Sequence, residues 1–282
     1  MESVATQMPD GTVLPVRLLA AKKARAERSS PDVIEPVVVI MPGMGVGGRY
    51  YTVVAGALAE RGFDVAVGEL RGQGDCAPRP HSNSVFGYHD IAAVDIPAII
   101  QTALERFPGR TPFLLGHSMG GQLSVLYAAR ARHLGGLILV GAGTPYYKGR
   151  SGVMSPGIVA GSAVMSLASR VAGYWPDLVG GFGRQSKVLI ADWARLARTG
   201  RFVPTGADID YETRIGQITA PVLSITLGDD DFSPPASVEH LAGKLIGSDV
   251  TRWNLPSPTG HNGWIRDPGL LADRVEKWIR DR

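Results

Sequence analysis

The sequence predicts an α/β fold with a mostly parallel central sheet and helices on both of its faces. Short, continuous runs of β-branched and aliphatic residues, such as PVVVIMPG (36–43), are typical of strands buried on both faces. Stretches with helical spacing, such as YTVVAGALAERG (51–62), alternate with these runs, and such alternation indicates parallel strands joined by helices. The chain has 282 residues, of which 44% are hydrophobic, and this is enough for a sizeable core.

The first elements follow in a regular order. Asp10-Gly11 favours a tight hairpin turn, so residues 4–19 are expected to form two antiparallel strands. In residues 89–109, Pro97 would cost about 3 kcal/mol deep inside a helix, so we expect this helix to begin with Asp95 as its N-cap. The other elements expected here are strands at 36–43, 63–70, 111–118 and 134–143 and helices at 51–62 and 119–132.

The alternation stops near residue 147. In the segment that follows, Ser155-Pro156 and Ser186 are each expected to begin a helix. The alternation of strands and helices then resumes, with strands at 221–228 and 250–256 and helices at 237–245 and 269–280. We therefore expect an α/β core in two parts, residues 1–146 and 216–282, interrupted by a helical cap at 147–215.

Composition argues against several classes of function. The net charge of +3 is too small to indicate nucleic-acid binding, and the basic segment 20–30 is expected to be a solvated loop. The single cysteine, Cys76, rules out an internal disulfide and indicates a reducing compartment. No apolar run has the length of a membrane span and no secretory signal is recognisable at residues 1–12, so a cytoplasmic protein is expected.

The motif G-x-S-x-G lies between a predicted strand and a predicted helix, at residues 116–120. A turn this sharp holds Ser118 in a strained backbone conformation and pushes its hydroxyl out above the sheet, which makes it a candidate nucleophile. The N–H of Met119 would lie at a helix N-terminus, where it can stabilise a developing oxyanion. The adjacent His117 is expected to be a packed, structural residue.

A serine nucleophile needs a general base and a carboxylate to orient that base. His261 follows the last predicted strand and can reach over the sheet, so we expect it to be the base. The acid is expected among the three aspartates of LGDDDFSPP (227–235), which leave the preceding strand at its carboxyl end. Asp231 is favoured because it lies past the turn, ahead of Asp230 and then Asp229. A calcium site is the alternative, but consecutive side chains cannot all face one ion.

With these motifs the chain resembles the α/β-hydrolase superfamily from about residue 11 to 282: GHSMGG (116–121), GDDDFSPP (228–235) and GHNGW (260–264). Residues 42–75 are similar to the monoacylglycerol-lipase and lysophospholipase-like serine hydrolases and to bacterial α/β hydrolases of similar length. The resemblance implies the α/β-hydrolase fold, with Asp231 as the acid and the Met44 N–H as the second oxyanion donor. Pro42 replaces the histidine that usually precedes this glycine.

The helical segment lies where this superfamily carries a cap over the active site. Its apolar residues are expected mostly to pack the cap onto the core, and Trp175, Phe182 and Trp193 are candidates for a substrate pocket. The expected function is hydrolysis of a small-molecule carboxylic ester with an apolar acyl group, through an acyl-enzyme and without metal or cofactor. Acyl transfer or peptide or amide hydrolysis by the same three residues, and non-catalytic ligand binding, are the alternatives.

Overall fold

The centre of the fold is a mostly parallel sheet. The computed structural model describes residues 1–22, 35–131, 133–149, 154–177, 182–256 and 260–282. The strands are β1 (Glu2–Gln7), β2 (Val13–Leu19), β3 (Pro36–Met41), β4 (Asp64–Val67), β5 (Thr111–His117), β6 (Gly136–Val140), β7 (Tyr174–Trp175), β8 (Gln185–Ser186), β9 (Val222–Leu227) and β10 (Val250–Leu255). Within the described ranges, eight of them form one sheet in the order β1-β2-β4-β3-β5-β6-β9-β10, antiparallel at β1–β2 and β2–β4 and parallel elsewhere.

Helices cover both faces of the sheet. They are α1 (Thr52–Glu60), α2 (Tyr88–Asp90), α3 (Ile96–Arg106), α4 (Met119–Ala128), α5 (Met154–Ala172), α6 (Lys187–Thr199), α7 (Tyr211–Ile215), α8 (Pro235–Ala242), α9 (Gly260–Gly263) and α10 (Gly269–Arg280). Successive residues of β3 point to opposite faces, so that Val39 joins one hydrophobic core and Ile40 the other. This arrangement explains why the strand sequences are continuously apolar and confirms the α/β fold that they predict.

The helix around Pro97 begins earlier than its sequence predicts. A π-helical turn, Ile91–Asp95, joins α2 to α3, and the Ile96 N–H donates to the Ile91 carbonyl across it. This widened turn lets the helix pass through Pro97 without a regular i to i−4 bond at that point. Asp95 precedes α3 and Pro97 lies in its first turn, as predicted, but Asp95 is itself helical and its side chain makes no capping hydrogen bond. Its buried carboxylate instead pairs with the Arg71 guanidinium, with a distance of 3.0 Å between Arg71 Nε and Asp95 Oδ2.

The segment between β6 and β9 contains α5, α6, α7 and the small antiparallel pair β7–β8. Ser186 caps α6 as predicted, because its hydroxyl accepts the Val188 N–H at 3.2 Å. Ser155 does not cap α5 as predicted, since the helix already includes Met154. The basic segment 20–30 lies mostly outside the described residues. No helix in the described ranges is both long enough and apolar enough to cross a bilayer.

Candidate active site

Ser118 occupies a strained turn between β5 and α4. Its φ of 52° and ψ of −122° lie outside the regions that side chains favour. The turn needs glycine on both sides: a Cβ at Gly116 would lie 2.4 Å from the Gly121 Cα, and one at Gly120 would lie 2.2 Å from the Met41 carbonyl oxygen. The Ser118 N–H donates to the Val140 carbonyl of the neighbouring strand at 3.0 Å, which fixes the turn to the sheet. The hydroxyl is thereby presented above the carboxyl end of β5.

His261 reaches Ser118 from the other end of the chain. The distance from His261 Nε2 to Ser118 Oγ is 2.8 Å, across a sequence separation of 143 residues. His261 lies in the short helix α9, where the sequence predicts a loop. The Gly260 N–H donates to the Gly228 carbonyl at 3.1 Å, so the turn that carries His261 is attached to the end of β9. The positions predicted for Ser118 and His261 are thus brought together.

Asp230, and not the favoured Asp231, is the carboxylate bonded to His261. Asp230 Oδ2 lies 2.8 Å from His261 Nδ1, and the Asp230 side chain is fully buried. Its Oδ1 accepts the N–H groups of Phe232 and Ser233 at 2.9 and 2.8 Å. A carboxylate held in this way only accepts, so Nδ1 carries the imidazole proton and Nε2 is left to accept the Ser118 hydroxyl.

The backbone conformation of Asp229 explains why Asp230, and not Asp231, faces His261. Asp229 adopts a left-handed conformation with a φ of 55°, which turns the chain within one residue of Gly228. The prediction of Asp231 requires a turn one residue longer than the one that the chain makes after Gly228. Asp231 is exposed and lies in the wall of the cavity described below. A carboxylate that accepts N–H groups two and three residues later is an Asx-type turn, and D-x-F-S before Pro-Pro carries that signal.

His117 is structural, as predicted, and it belongs to a buried hydrogen-bond chain. Its Nε2 lies 3.0 Å from the His261 carbonyl oxygen, so Nε2–H must be the donor there. Its Nδ1 therefore accepts from the Tyr51 hydroxyl, at 2.6 Å, and the Tyr51 oxygen accepts the Gly43 N–H at 3.0 Å. We define Gly43, Tyr51, His117 and the His261 carbonyl as the Tyr51 relay. It connects the loop after β3 to the helix that carries His261.

Burial keeps His117 neutral, although its hydrogen bond to the His261 carbonyl acts in the opposite direction and raises its pKa. Burial lowers the pKa of His117 well below its usual value, and the positive charge that His261 can carry lowers it further. Burial also raises the pKa of the Tyr51 phenol, so this hydroxyl stays protonated and can donate. The two imidazoles are only 4.8 Å apart between ring centroids, and a charged His117 would oppose protonation of His261. The sequence did not indicate Tyr51, because nothing in a helix pattern reveals its partners.

Met44 and Met119, whose N–H groups are the predicted oxyanion donors, both line the cavity that contains Ser118. Met119 is the first residue of α4, so its N–H has no acceptor within the helix. Met44 follows Gly43 on the loop after β3. The neighbouring Gly45 N–H donates to the Gln73 side chain, which anchors this loop to the chain after β4.

The cavity above Ser118 has a volume of about 390 Å³, which is ordinary for a small-molecule site. Its apolar wall consists of Met44, Val46, Met119, Pro145, Ile158, Phe182, Trp193 and Phe232. Phe182 and Trp193 thus lie where the sequence predicts. Trp175 does not line this cavity, and that prediction is wrong: its side chain is only 5% exposed and packs in the core, as a β-strand residue of the β7–β8 pair can.

Gln122 and Phe232 are among the cavity residues that the sequence did not indicate. Gln122 lines the cavity on α4, where its amide accepts from the Tyr88 hydroxyl at 2.7 Å and donates to the Gly143 carbonyl at 2.6 Å. Phe232 lies beside His261 with 5.4 Å between ring centroids and is 59% exposed. Within the described residues, no group of three or more His, Cys, Asp or Glu side chains could hold a metal ion.

Comparison with known proteins agrees with this architecture. The family model described as serine aminopeptidase, S33, matches residues 33–175. Lysophospholipase L2 from Escherichia coli K12 is 32% identical over 120 residues, which are 42% of this chain and 33% of that protein. The match therefore spans only a third of the length of this curated relative.

Solved structures match over nearly the whole chain. An esterase from Exiguobacterium antarcticum aligns with a TM-score of 0.67 and 19% identity, covering 99% of this chain and all of that one. A thermophilic esterase from Thermogutta terrifontis aligns with a TM-score of 0.62 and 17% identity, covering 100% and 99%. At such identities the likeness establishes the fold. Because the family model covers just over half of the residues, the chain belongs to the serine aminopeptidase S33 family of the α/β-hydrolase superfamily.

Proposed function

We propose that this protein is a serine hydrolase that cleaves carboxylic esters with an apolar acyl group. The observation that carries the proposal is the pair of 2.8 Å contacts that link Ser118 Oγ to His261 Nε2 and His261 Nδ1 to Asp230 Oδ2. The tautomer that Asp230 selects is the one that can take the Ser118 proton. Asp230 then stabilises the imidazolium without becoming protonated.

The mechanism follows from these roles. Ser118 Oγ attacks the ester carbonyl while His261 removes its proton, and the oxyanion of the tetrahedral intermediate is held by the N–H groups of Met44 and Met119. His261 then protonates the departing alcohol, which leaves an acyl-enzyme. Water, deprotonated by His261, releases the acid and restores Ser118. Each oxyanion N–H is worth about 3 kcal/mol in the transition state.

The apolar wall of the cavity favours a substrate whose acyl group is uncharged and apolar. Val46, Ile158, Phe182 and Trp193 offer aliphatic and aromatic surface, and the transfer of each methylene of an acyl chain onto such surface contributes about 0.8 kcal/mol. The names of the relatives, an esterase and a lysophospholipase, support the same substrate class.

The proposal is tested with a fluorophosphonate probe and short p-nitrophenyl esters. Wild-type protein is expected to be labelled and to hydrolyse these esters, and Ser118→Ala is expected to lose both properties. Ser124→Ala is the matched control, because this buried hydroxyl donates to the Gly120 carbonyl at 2.7 Å within the same helix. A wild-type protein that is neither labelled nor active would support the non-catalytic ligand-binding alternative.

Peptide hydrolysis is the second candidate, and the description of the matching family as serine aminopeptidases favours it. The same three residues can cleave an amide, since His261 can protonate a departing amine. A comparison of p-nitrophenyl esters with aminoacyl p-nitroanilides decides between them. Acyl transfer is distinguished by adding a competing alcohol or amine and analysing the products.

A further inference from the structure

Helix α5 has its apolar side on the outside. The residues that it buries are Ser162, Ser166 and Ser169, which lie one helical turn apart on one face. Most surface helices of globular proteins bury their aliphatic residues and expose their polar ones. Two of these serines form hydrogen bonds within the helix. The Ser162 hydroxyl donates to the Val159 carbonyl and the Ser169 hydroxyl donates to the Ser166 carbonyl, each at 3.0 Å.

The outward side of α5 is aliphatic along its length. We call this the α5 face, and it consists of Ala160, Ala163, Val164, Leu167, Ala168 and Val171. Val164 and Leu167 are each 65% exposed, and Val171 is 83% exposed. A contiguous apolar surface of this kind is unfavourable in water and usually marks an interaction site.

The charges in the segment that carries the α5 face are mainly basic. Residues 147–177 contain three basic residues and one acid, Asp177, which pairs with the Arg79 guanidinium at 3.2 Å. Arg170 is exposed in the last turn of α5, and Lys148 is exposed on the 3₁₀ turn that packs against the helix. An aliphatic face bordered by cations is complementary to a surface that is apolar inside and anionic at its edge. A bilayer with anionic headgroups is such a surface.

The same helix reaches the candidate active site. Ile158, two residues before Ala160, lines the cavity above Ser118. A helix lying in the headgroup region on its α5 face would bring the cavity wall next to the acyl chains of the lipid.

We propose that the α5 face docks the protein on anionic lipid surfaces and that its substrates are taken up there. The second part of this inference depends on the proposed ester hydrolysis, whereas docking itself does not. The binding free energy has two sources, the insertion of Val164, Leu167 and Val171 among the acyl chains and the attraction of Lys148 and Arg170 to headgroups.

The test is sedimentation with vesicles of phosphatidylcholine alone or mixed with phosphatidylglycerol. We expect wild-type protein to bind the mixed vesicles more tightly than the neutral ones. The double variant Leu167→Glu/Val171→Glu should bind the mixed vesicles at least about tenfold more weakly than wild type. Arg170→Gln should bind them about fivefold more weakly. Ile246→Glu is the matched control, because Ile246 is also 83% exposed but follows α8, and it should bind as wild type does.

Three results would overturn docking: wild-type protein that binds neither vesicle, a double variant that binds as well as wild type, or a wild-type dimer in solution that the double variant converts to monomer without any vesicle binding. Hydrolysis of a water-soluble p-nitrophenyl ester is measured in parallel, and the double variant should retain it. If vesicle binding follows these expectations but no protein hydrolyses the ester, the proposed function fails and docking stands.

Discussion

Asp230 and Asp231 are adjacent acids in different surroundings. The Asp230 carboxylate is buried and accepts from His261 and from two backbone N–H groups, whereas Asp231 is exposed to solvent at the cavity wall. Burial makes the contacts of Asp230 strong, and exposure allows water to screen the charge of Asp231. One residue along the chain therefore separates a carboxylate that fixes the imidazole from one that does not.

Asparagine substitutions at the two positions form a matched pair. Asp230→Asn removes the charge and allows the wrong imidazole tautomer, so kcat for a p-nitrophenyl ester should fall by about four orders of magnitude. Asp231→Asn should lower kcat by less than about tenfold, because an exposed charge contributes little. A larger loss from Asp231→Asn than from Asp230→Asn would contradict the assignment.

The Tyr51 hydroxyl is expected to position the site without touching substrate. Tyr51→Phe leaves the Gly43 N–H and His117 Nδ1 without a partner in a buried place, which loosens both the loop before Met44 and the helix that carries His261. We expect kcat to fall by about tenfold with little change in KM, as small displacements of catalytic groups do. Tyr50→Phe is the control, because Tyr50 is 57% exposed. Equal kcat values in both variants would rule out this role.

Buried His117 should make the fold sensitive to acid. Its folded pKa lies well below the usual 6.5, so below that pH the unfolded chain binds a proton that the folded chain does not. Stability is therefore present above pH 6.5 and is lost as pH falls below it. Unfolding in urea should show a loss of about 1 kcal/mol per pH unit below that point from this residue. In His117→Gln this slope should be smaller, and an unchanged slope would contradict a neutral, buried His117.

The turn between β5 and α4 requires glycines, because a side chain at these positions would collide with neighbouring backbone. A methyl group at Gly120 would collide with the Met41 carbonyl oxygen in the neighbouring strand, so Gly120→Ala should lower the free energy of unfolding by about 1–3 kcal/mol. Gly56 lies in α1 with nothing within 4 Å of an added Cβ, and Gly56→Ala should raise it by about 0.5–1 kcal/mol. Chemical denaturation of both variants checks the pair, and a Gly120→Ala protein as stable as wild type would contradict the tight turn.

Sequence patterns predicted elements better than they predicted local turns. The apolar runs of β3, β5 and β9 identified the sheet because only strands buried on both faces need such sequences. The role of Asp95 was not predicted, because its carboxylate binds Arg71, which is remote in sequence, and does not cap α3. The sequence also did not show that α5 buries its serines and exposes its aliphatic residues, since a helix pattern shows two faces but not which one packs inward.

The sheet is what brings the site together. Ser118 follows β5, Asp230 follows β9 and His261 follows β10, and because these strands are parallel their carboxyl ends lie at one edge. The G-x-S-x-G motif at the end of a strand therefore sufficed to predict Ser118, and the place of His261 after the last strand sufficed to predict His261. They could not select among three consecutive aspartates, because that choice depends on the φ angle of Asp229. Likewise, Trp175 was predicted by composition, whereas only packing decides which residues between β6 and β9 reach the cavity.

The most direct test of the account is the mass of the protein during turnover. Wild-type protein mixed with a p-nitrophenyl ester and quenched in acid should carry one added acyl group, and peptide mapping should place it on the segment that contains Ser118. Asp230→Asn should form this adduct far more slowly, and Ser118→Ala should not form it. Ester hydrolysis by wild-type protein with the acyl group on another residue, or at an undiminished rate in Ser118→Ala, would contradict the central claim.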